Sequence, residues 1–495
     1  MHDNSTHGQQ DLTKLNVWRR YQSTLSFILF AAVQKMFPGA RLRIEHSLTK
    51  GLYFTVNRKL SHSALLGIER EMKRLIDEDL PITSTTVAKR HALRLFKRSG
   101  SRDKVIFLEN TKKKKITVYS LGNVKDMYVM PPFAATGAAP IFSLETYPPG
   151  YVLFFPTWQD LSRLPECKPQ PKLVRIFNEY EEWARILGIS DVGELNHAIQ
   201  NGRGSEIVKI TEALHEKKIV YISDRIVRSK KKLILIAGPS SAGKTTFTKR
   251  LAIQLYVNGL TPLIVEADDY FLPHSHTPRD EYGRLDFESI DAVDIPLLNR
   301  HLMRIIEGNK VRVPTYNFRT GRRNRGIEVR LSKNGVILLE GIHCLNEVFT
   351  GKIPKQLKLK IYISALTHLN VDNHNRISTT DTRMLRRIVR DTQFRGFDIR
   401  TILHRWSSVR KGEEKNIYPF QEEADEMFNS ALIYEPAVLR NTCLSIVRRV
   451  RWREPEYEEA RRLADLLSLF YTLGERDVPS NSILREFIGG SSFVY

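Results

Sequence analysis

The chain has 495 residues, of which 41% are hydrophobic and 27% are charged, which excludes an intrinsically disordered protein and predicts two to four domains. Lysine and arginine outnumber aspartate and glutamate by 77 to 55, and the formal net charge of +22 favours anionic partners such as nucleotides or RNA, although a generally basic surface explains it equally well. The three cysteines, Cys167, Cys344 and Cys443, lie far apart in no CxxC or Cys/His cluster, which argues against a disulfide framework and a structural zinc site.

The beginning of the chain is polar and has no apolar core of the kind found in signal peptides. The most apolar stretch, LSFILFAAV at 25–33, is too short to cross a bilayer, which takes about 20 residues. We therefore expect a cytoplasmic protein without a membrane partner.

The front third of the chain predicts helices mixed with short strands. Residues 17–36 read as a largely buried helix that ends before a Pro-Gly pair, and residues 40–56 alternate like a β-hairpin with Gly51 at its turn. Residues 61–79 predict a second helix after a serine cap. The lysine run at 112–115 fits a solvated hairpin turn or, as the alternative, a contact with RNA phosphates.

The pattern changes towards the middle of the chain. The proline-rich residues 166–173 predict a connector, and residues 174–228 predict helices. From residue 233 onward, apolar strand-like runs alternate with amphipathic helices, which predicts a parallel α/β sheet. The predicted domains are 1–158, 159–231, 232–445 and 446–495.

A phosphate-binding loop begins directly after the strand-like run KLILIA. The sequence GPSSAGKT at 238–245 fits the pattern G-x-x-x-x-G-K-[ST] and opens a predicted helix, which is the context that this motif requires. Backbone N–H groups of such a loop surround phosphates, Lys244 reaches the β- and γ-phosphates, and the Thr245 hydroxyl ligates Mg²⁺. The predicted ATP-binding residues are Gly238, Pro239, Ser240, Ser241, Ala242, Gly243, Lys244, Thr245 and Thr246.

Acidic residues follow the next two predicted strands. The run TPLIVEADDYFL (261–272) ends with Asp268 and Asp269, and GVILLEG (335–341) brings Glu340 to the same edge of the sheet. A carboxylate there can accept the proton of an attacking hydroxyl, so Asp268 is the predicted catalytic base. Thr245, Glu340 and Asp268 are the predicted metal ligands. The alternative is that these acids only cap the helices that follow them.

A basic helix is predicted over residues 381–396. Arg383, Arg387 and Arg390 recur at helical spacing, and Arg395 follows just before a glycine. This pattern predicts a lid whose arginines screen the charge of the transferred phosphoryl group. A solvated or ion-paired helix is the alternative, because the segment includes an acidic neighbour within "VRD".

Six stretches between about 232 and 440 resemble, in order, the uridine kinase/phosphoribulokinase family. They are GPSSAGKTT, ADDYF, LDFESIDAVD, VPTYNF, LLEGIH and TRMLRRIVRDTQFRG. SVRKGEEKNIYPFQEEAD and NSILREFIGG further resemble a subgroup of bacterial nucleoside kinases with long N-terminal extensions. The resemblance implies a P-loop NTPase-type parallel sheet, ATP and Mg²⁺ as cofactors, and transfer of the γ-phosphate to the 5′-hydroxyl of a nucleoside.

The same resemblance implies roles for individual residues. Asp268 falls on the catalytic base, Asp286 on the acid that grips the ribose hydroxyls, and Glu340 on the magnesium-side carboxylate. Tyr316 and Phe318 match aromatic positions around the base. Arg387, Arg390 and Arg395 match phosphate-contacting arginines, and Arg387 is also assigned to the substrate.

Two positions depart from the family pattern. Uridine kinases carry a histidine where this chain has Gly321, and an arginine where it has Phe397. Both family residues help to read the pyrimidine, so the resemblance leaves the preferred base of the nucleoside open.

Residues 18–155 resemble the editing-type domain of threonyl-tRNA synthetases. The resemblance rests on AAVQKMFPGARLRIEHSLTKGLYFTV, IEREMKRLIDEDLP and DMYVMPPFAATG. The positions that carry two histidines, a cysteine and a further histidine in the synthetases are Ser23, Phe27, Tyr128 and Pro132 here, so the resemblance implies an α+β domain that has lost its metal and catalytic motif. A scaffold or dimerising role is expected for it, with RNA contact as the alternative.

The sequence as a whole predicts an ATP- and Mg²⁺-dependent nucleoside kinase. One alternative is a sugar kinase resembling phosphoribulokinase, and another is an RNA-binding regulatory protein with a nucleotide switch site. The aromatic pair at 316 and 318 favours a stacked base over a sugar, and a general base is not needed by a switch. The oligomeric state is left open.

Overall fold

In a computed structural model of the protein, the described residues are 3–280, 283–367 and 369–494, with side chains described from residue 11 onward. These residues form two units that alternate along the chain. The first unit comprises Met1–Ile207, Thr367–Thr382 and Ile433–Gly474, and the second comprises Val208–Leu366, Arg383–Leu432 and Glu475–Tyr495. The four-part division drawn from the sequence stays a prediction. Within the described ranges, no helix is both long and apolar enough to cross a membrane.

The first unit combines helices with two antiparallel sheets, ordered β1-β2-β7-β6 and β3-β4-β5. Its strands are β1 (Leu42–Leu48), β2 (Gly51–Val56), β3 (Ile82–Ala88), β4 (Lys115–Leu121), β5 (Val124–Asp126), β6 (Ser143–Tyr147) and β7 (Gly150–Phe154). Its helices are α1 (Asp3–Met36), α2 (His62–Asp77), α3 (Lys89–Arg98), α4 (Arg102–Glu109), α5 (Pro171–Leu187), α6 (Val192–Gln200), α12 (Glu435–Val447) and α13 (Tyr457–Leu467).

The predicted elements at the front of this unit are present, with one correction. Helix α1 ends at Met36, and the Ser61 side chain caps α2 by accepting a hydrogen bond from the N–H of Ala64. The hairpin joins β1 to β2, but its turn is formed by Thr49 and Lys50, which have φ of 51° and 67°. Gly51 was therefore placed wrongly at the turn, since it is the first residue of β2.

The second unit is built on a parallel sheet ordered β14-β13-β8-β12-β9. Its strands are β8 (Leu233–Ala237), β9 (Thr261–Glu266), β10 (Val311–Asn317), β11 (Arg322–Val329), β12 (Gly335–Glu340), β13 (Lys358–Ser364) and β14 (Glu426–Asn429), with β10 and β11 forming a separate antiparallel pair. Its helices are α8 (Lys244–Val257), α9 (Ile295–Ile306), α11 (Ile399–Asn416) and α14 (Arg485–Ile488). Helices α7 (Gly204–Ser229) and α10 (Thr379–Phe394) contribute residues to both units.

The order of the parallel strands fixes the place of the functional site. Every residue of β8 and of β13 is buried, as expected for strands covered on both faces. The chain fills one side of β8 with β9 and β12, and then the other side with β13 and β14. Ligands bind at the carboxyl ends of parallel strands where the progression reverses, which is the position of the loop after β8.

Candidate active site

The phosphate loop, residues 238–245, joins β8 to α8 through a backbone that needs glycine. A Cβ atom on Gly238 would lie 2.0 Å from the carbonyl oxygen of Ile363 in β13, so a side chain has no room there. Gly243 has a φ of 82° and immediately precedes α8. The loop therefore directs its backbone towards the positive end of that helix, as an anion site requires.

The predicted acids lie beside this loop. Strand β12 lies between β8 and β9, and its last residue, Glu340, is paired with Ile236 and Glu266. Thr245 Oγ1 donates a hydrogen bond to Glu340 Oε1 at 3.0 Å. A hydroxyl and a carboxylate in contact form an oxygen donor set of the kind that Mg²⁺ prefers.

The positive charge of Lys244 acts on Asp268 as it does on Glu340. Asp268 is an exposed residue of the short helical turn after β9. Desolvation raises the pKa of Asp268 to about 6, with the charge of Lys244 opposing the increase. Desolvation likewise raises the pKa of Glu340 to about 7, again opposed by Lys244. Both carboxyl groups therefore lie within electrostatic reach of the loop lysine.

The neighbouring acid has different surroundings. Asp269 Oδ1 accepts a hydrogen bond from the backbone N–H of Tyr316 at 2.9 Å, which ties the turn to β10. The positive charge of Lys244 acts on the pKa of Asp268, whereas desolvation and the negative charge of Glu266 raise that of Asp269.

The predicted arginine face is divided between two arrangements. Arg387, Arg390 and Arg395 surround the buried carboxylate of Asp391, with nitrogen–oxygen distances of 3.2, 2.8 and 3.5 Å. Arg387 Nη1 also donates to Ser240 Oγ of the phosphate loop at 3.2 Å. All three arginines are thus ion-paired with Asp391, and Arg387 also contacts the phosphate loop, while their role as a lid stays a prediction.

Arg383 does not belong to such a lid, and this part of the arginine prediction is wrong. Its side chain is fully buried and pairs with Glu413, donating from Nη2 to Oε2 at 2.6 Å. Arg383 Nη1 donates to the carbonyl oxygen of Ser240 at 3.0 Å. Regular helical spacing identified the arginines but could not distinguish the buried face from the open one.

Three residues of the site were missed by sequence reasoning. Glu413 accepts a hydrogen bond from the N–H of Ser240 at 3.0 Å, and Arg386 Nη1 donates to the carbonyl oxygen of Ser241 at 3.3 Å, so both brace the phosphate loop. Desolvation and then the charge of Glu413 raise the pKa of Glu288 to about 7, while Arg387 and Lys244 oppose them. All three lie inside stretches that resemble the kinase family or its subgroup, namely Glu288 in LDFESIDAVD, Arg386 in TRMLRRIVRDTQFRG and Glu413 in SVRKGEEKNIYPFQEEAD, but the resemblance assigned no role to them.

Asp286 lies two residues before Glu288. One of its carboxylate oxygens accepts the backbone N–H of Glu288 at 3.0 Å, so in this structure it holds the local turn. Its role towards ribose stays a prediction. The pKa of Glu288, another acid of this stretch, is raised by desolvation and by the charge of Asp268 and lowered by that of Lys244.

An aromatic cluster flanks the turn that carries Asp268. The rings of Phe271, Phe287, Tyr316 and Phe318 meet edge to face, with centroids 5.0 to 6.1 Å apart. Phe318 is 55% exposed, so the cluster keeps an accessible aromatic surface. Such a surface suits a planar apolar group.

The two positions that depart from the resemblance have distinct surroundings. At Gly321, which has a φ of 65°, a Cβ atom would lie 2.2 Å from Nδ1 of His274, so the imidazole of His274 fills the space beside this glycine. The guanidinium of Arg405 lies 5.7 Å from the ring centroid of Phe397, which is exposed.

A second group of possible metal ligands lies in the first unit. Ligand atoms of Glu45, His46 and Glu181 lie within 4.8 Å of one another. The positive charges of Arg43 and Arg376 act on Glu181 and His46, which disfavours a cation there. At the positions of the resemblance to the editing domain, the rings of Phe27 and Tyr128 pack 5.3 Å apart in a buried core.

The segment that contains the candidate site is similar to known proteins. Residues 233–432 match the Phosphoribulokinase / Uridine kinase family. A uridine kinase of Mycoplasma pneumoniae is 31% identical over 174 residues, which is 35% of this chain and 73% of that protein. A uridine kinase of Anoxybacillus flavithermus is 28% identical over 200 residues, covering 40% of this chain and 86% of that protein.

A solved structure, titled as a possible uridine kinase from Bacillus stearothermophilus, covers 43% of this chain and 98% of its own at 18% identity. Its TM-score of 0.29 is too low to support an argument. The family assignment therefore depends on the sequence relatives and on the matched segment. The chain belongs to the phosphoribulokinase/uridine kinase family and is an ATP-dependent phosphotransferase.

Proposed function

We propose that the protein transfers the γ-phosphate of ATP to the 5′-hydroxyl of a nucleoside, with Mg²⁺ as cofactor. The observation that supports the proposal is the setting of Asp268, an exposed residue whose carboxyl is influenced by the positive charges of Lys244 and Arg395. A base in that position meets both an incoming alcohol and the phosphate loop.

Asp268 is the proposed general base. Its pKa of about 6 leaves it ionised at neutral pH, and it is more basic than an ordinary aspartate because desolvation disfavours its charge. A base with a pKa near the working pH accepts a proton most effectively in the transition state. The carboxylate therefore takes the hydroxyl proton as the oxygen attacks phosphorus.

Thr245 and Glu340 are the proposed cation ligands, and Asp268 is the third predicted one. The donor set fits, since the threonine hydroxyl and the desolvated carboxylate are hard oxygen ligands in contact. When bound, Mg²⁺ neutralises part of the phosphate charge. When no cation is bound, the positive charge of Lys244 stabilises the ionised form of Glu340, which desolvation disfavours.

Arg387, Arg390 and Arg395 are the proposed charge-screening groups. Asp391 holds all three guanidinium groups near the loop, which fixes their positions before substrates bind. Preorganised positive groups stabilise the transferring phosphoryl group without reorganisation during the reaction.

The aromatic cluster supports a nucleoside over a sugar. Edge-to-face rings with one exposed member can pack against a nucleobase, whereas a phosphorylated sugar offers no planar face. Tyr316 and Phe318 are accordingly the proposed base-contacting residues, and Asp286 the proposed ribose ligand. His274 beside Gly321 gives the pocket a polar ring, so the base preferred by this protein is open to test.

The test is ADP release by the purified full chain with Mg²⁺–ATP and a panel of nucleosides and pentoses. Stimulation by a nucleoside supports the proposal, and stimulation by pentoses alone replaces it with a sugar kinase. Asp268→Asn should lower kcat by about 10² to 10⁴ while ATP binding is retained. The matched control is Asp269→Asn, which keeps an oxygen acceptor for Tyr316 N and should stay near the wild-type rate. Equal kcat in wild type and Asp268→Asn would remove Asp268 as the base.

For residues 1–158 we propose a scaffold that resembles an editing domain. Phe27 and Tyr128 occupy two of the four former ligand positions and pack in the core, so imidazole or thiolate chemistry has no donors at these positions. RNA binding is the alternative supported by the net charge of +22. Binding of tRNA that weakens steeply with salt would favour that alternative, and no binding at low salt would eliminate it.

A further inference from the structure

The last described segment, residues 475–494, folds back onto the phosphate loop within the second unit. Glu486 in α14 accepts hydrogen bonds at its Oε2 from Thr246 Oγ1 at 2.7 Å and from the Thr246 N–H at 3.4 Å. Thr246 is in the first turn of α8, whose N–H groups have no acceptor inside the helix. An acidic side chain thus occupies donors at the anion-binding end of the helix.

Buried contacts hold this segment in place. A Cβ atom on Gly243 would lie 2.5 Å from Cγ2 of Ile483, so the segment touches the loop glycine itself. Phe487 is fully buried, and its ring centroid lies 5.1 Å from the Arg386 guanidinium and 5.8 Å from that of Arg390. The position of Glu486 is therefore set by packing on both sides of it in the sequence.

The charge of Glu486 also enters the site. Its Oε1 lies 4.0 Å from Nη1 of Arg390, one of the proposed phosphate-contacting arginines. After desolvation, the charge of Glu486 is among the causes that raise the pKa of Glu340. A carboxylate between an arginine and a helix N-terminus occupies the electrostatic position that a phosphate oxygen would take.

We propose that Glu486 is an internal competitor of the nucleotide. Its carboxylate holds the Thr246 donors that a phosphate oxygen of ATP would use, so the C-terminal segment must withdraw before the triphosphate can bind fully. This inference rests on the proposed placement of ATP at the phosphate loop. Since only molecules with Glu486 withdrawn can bind, the apparent affinity for ATP is reduced by their fraction.

The direct test is calorimetric binding of Mg²⁺–ATP to the full chain. Glu486→Gln removes the negative charge and keeps the size of the side chain. We expect its Kd to fall by about tenfold, the change expected if Glu486 occupies the loop about nine tenths of the time. Glu475→Gln, an exposed glutamate of the same segment, is the matched control and should bind like wild type. An unchanged or higher Kd in Glu486→Gln overturns the proposal.

A second measurement needs no variant at this position. Amide hydrogen exchange of the wild-type protein should become faster in residues 482–490 when Mg²⁺–ATP is added. Unchanged or slower exchange there contradicts withdrawal of the segment.

A third variant separates the two levels of the argument. One possible outcome is that wild type binds Mg²⁺–ATP, Lys244→Ala does not bind it, and Glu486→Gln binds it with the same Kd as wild type. That outcome supports the nucleotide site and contradicts the competitor role of Glu486. If Lys244→Ala binds ATP as well as wild type does, the proposed nucleotide site itself is wrong and the competitor role is rejected with it.

Discussion

At the residue scale, the proposed role of Asp268 as the base predicts that the reaction depends on pH. Desolvation raises its pKa to about 6, and only the ionised form can accept a proton. We expect kcat at saturating substrates to be level above pH 7 and to fall about tenfold per unit well below pH 6. Circular dichroism at each pH controls for unfolding. A kcat that is constant from pH 5 to pH 8 would contradict Asp268 as the base.

A second prediction at the residue scale concerns the substitution of Gly321. Its φ of 65° disfavours a side chain, and a Cβ atom would also lie 2.2 Å from Nδ1 of His274. Gly321→Ala should therefore cost about 1–3 kcal/mol of unfolding free energy and raise KM for the nucleoside by displacing His274, with KM for ATP little changed. Gly308→Ala is the matched control, because Gly308 has a φ of 82° with no atom within 4 Å of such a Cβ. Equal effects of the two substitutions would show that His274 is not involved.

Individual residues were predictable where a local motif defines them. The loop 238–245 and the acids after β9 and β12 follow from short patterns, because the carboxyl ends of parallel strands meet at one edge. The contacts of Glu413 and Arg386 with the loop were not predictable, since each residue reaches the loop from more than 140 positions away along the chain. A single sequence contains no local signal for such pairing.

At the element scale, helices α10 and α11 brace the loop through one buried ion pair. Arg383 and Glu413 both have fully buried side chains, and both also bind backbone atoms of Ser240. Glu413→Gln leaves the guanidinium without a counter-charge, so we expect about 3–5 kcal/mol of destabilisation and a higher Kd for ATP. Urea unfolding and ATP titration measure the two effects.

The matched control for Glu413→Gln is Asp398→Asn at the start of α11. Asp398 pairs with Arg400 at 3.2 Å, and the side chains are 55% and 37% exposed, respectively. Exposed pairs contribute about 0–1 kcal/mol, so this variant should remain near wild type in stability and in ATP affinity. A similar loss in both variants would argue against a special role for the buried pair.

The same helices show what periodicity can and cannot predict. Alternation of strand-like runs with amphipathic helices correctly predicted a parallel α/β sheet, because both periods are local. The arginine spacing in α10 was correct as a pattern, but Arg383 faces the interior and pairs with Glu413, which lies in the next helix. Burial of a charged residue depends on its partner, and the sequence alone does not identify that partner.

At the scale of the whole molecule, the two units alternate along the chain. Residues 367–382 and 433–474 belong to the first unit, although they lie inside or next to the kinase-family match at 233–432. Boundaries drawn from linear composition cannot detect such alternation, because each predicted segment was assumed to be continuous. The resemblance of the front of the chain to an editing domain likewise stays a prediction.

A buried charge cluster in the first unit connects distant parts of the chain. Lys104 Nζ in α4 lies 3.0 Å from Asp126 Oδ1 and 3.0 Å from Asp372 Oδ1, and the lysine side chain is only 2% exposed. His374 Nδ1 lies 2.6 Å from Asp126 Oδ2 in the same cluster. Because Asp372 belongs to residues 367–382, these contacts hold that late segment in the first unit.

Lys104→Met should therefore destabilise the first unit strongly. The substitution keeps an apolar stem of similar length but leaves two buried carboxylates without their lysine, and removal of one partner of a buried pair costs about 3–5 kcal/mol. Lys97→Met is the matched control, since Lys97 is 57% exposed and pairs with Glu109 on the surface, where the expected cost is about 0–1 kcal/mol. Urea unfolding should show an early transition in Lys104→Met alone. If both variants unfold like wild type, the charge cluster does not hold residues 367–382 in place, and packing of their apolar side chains must do so instead.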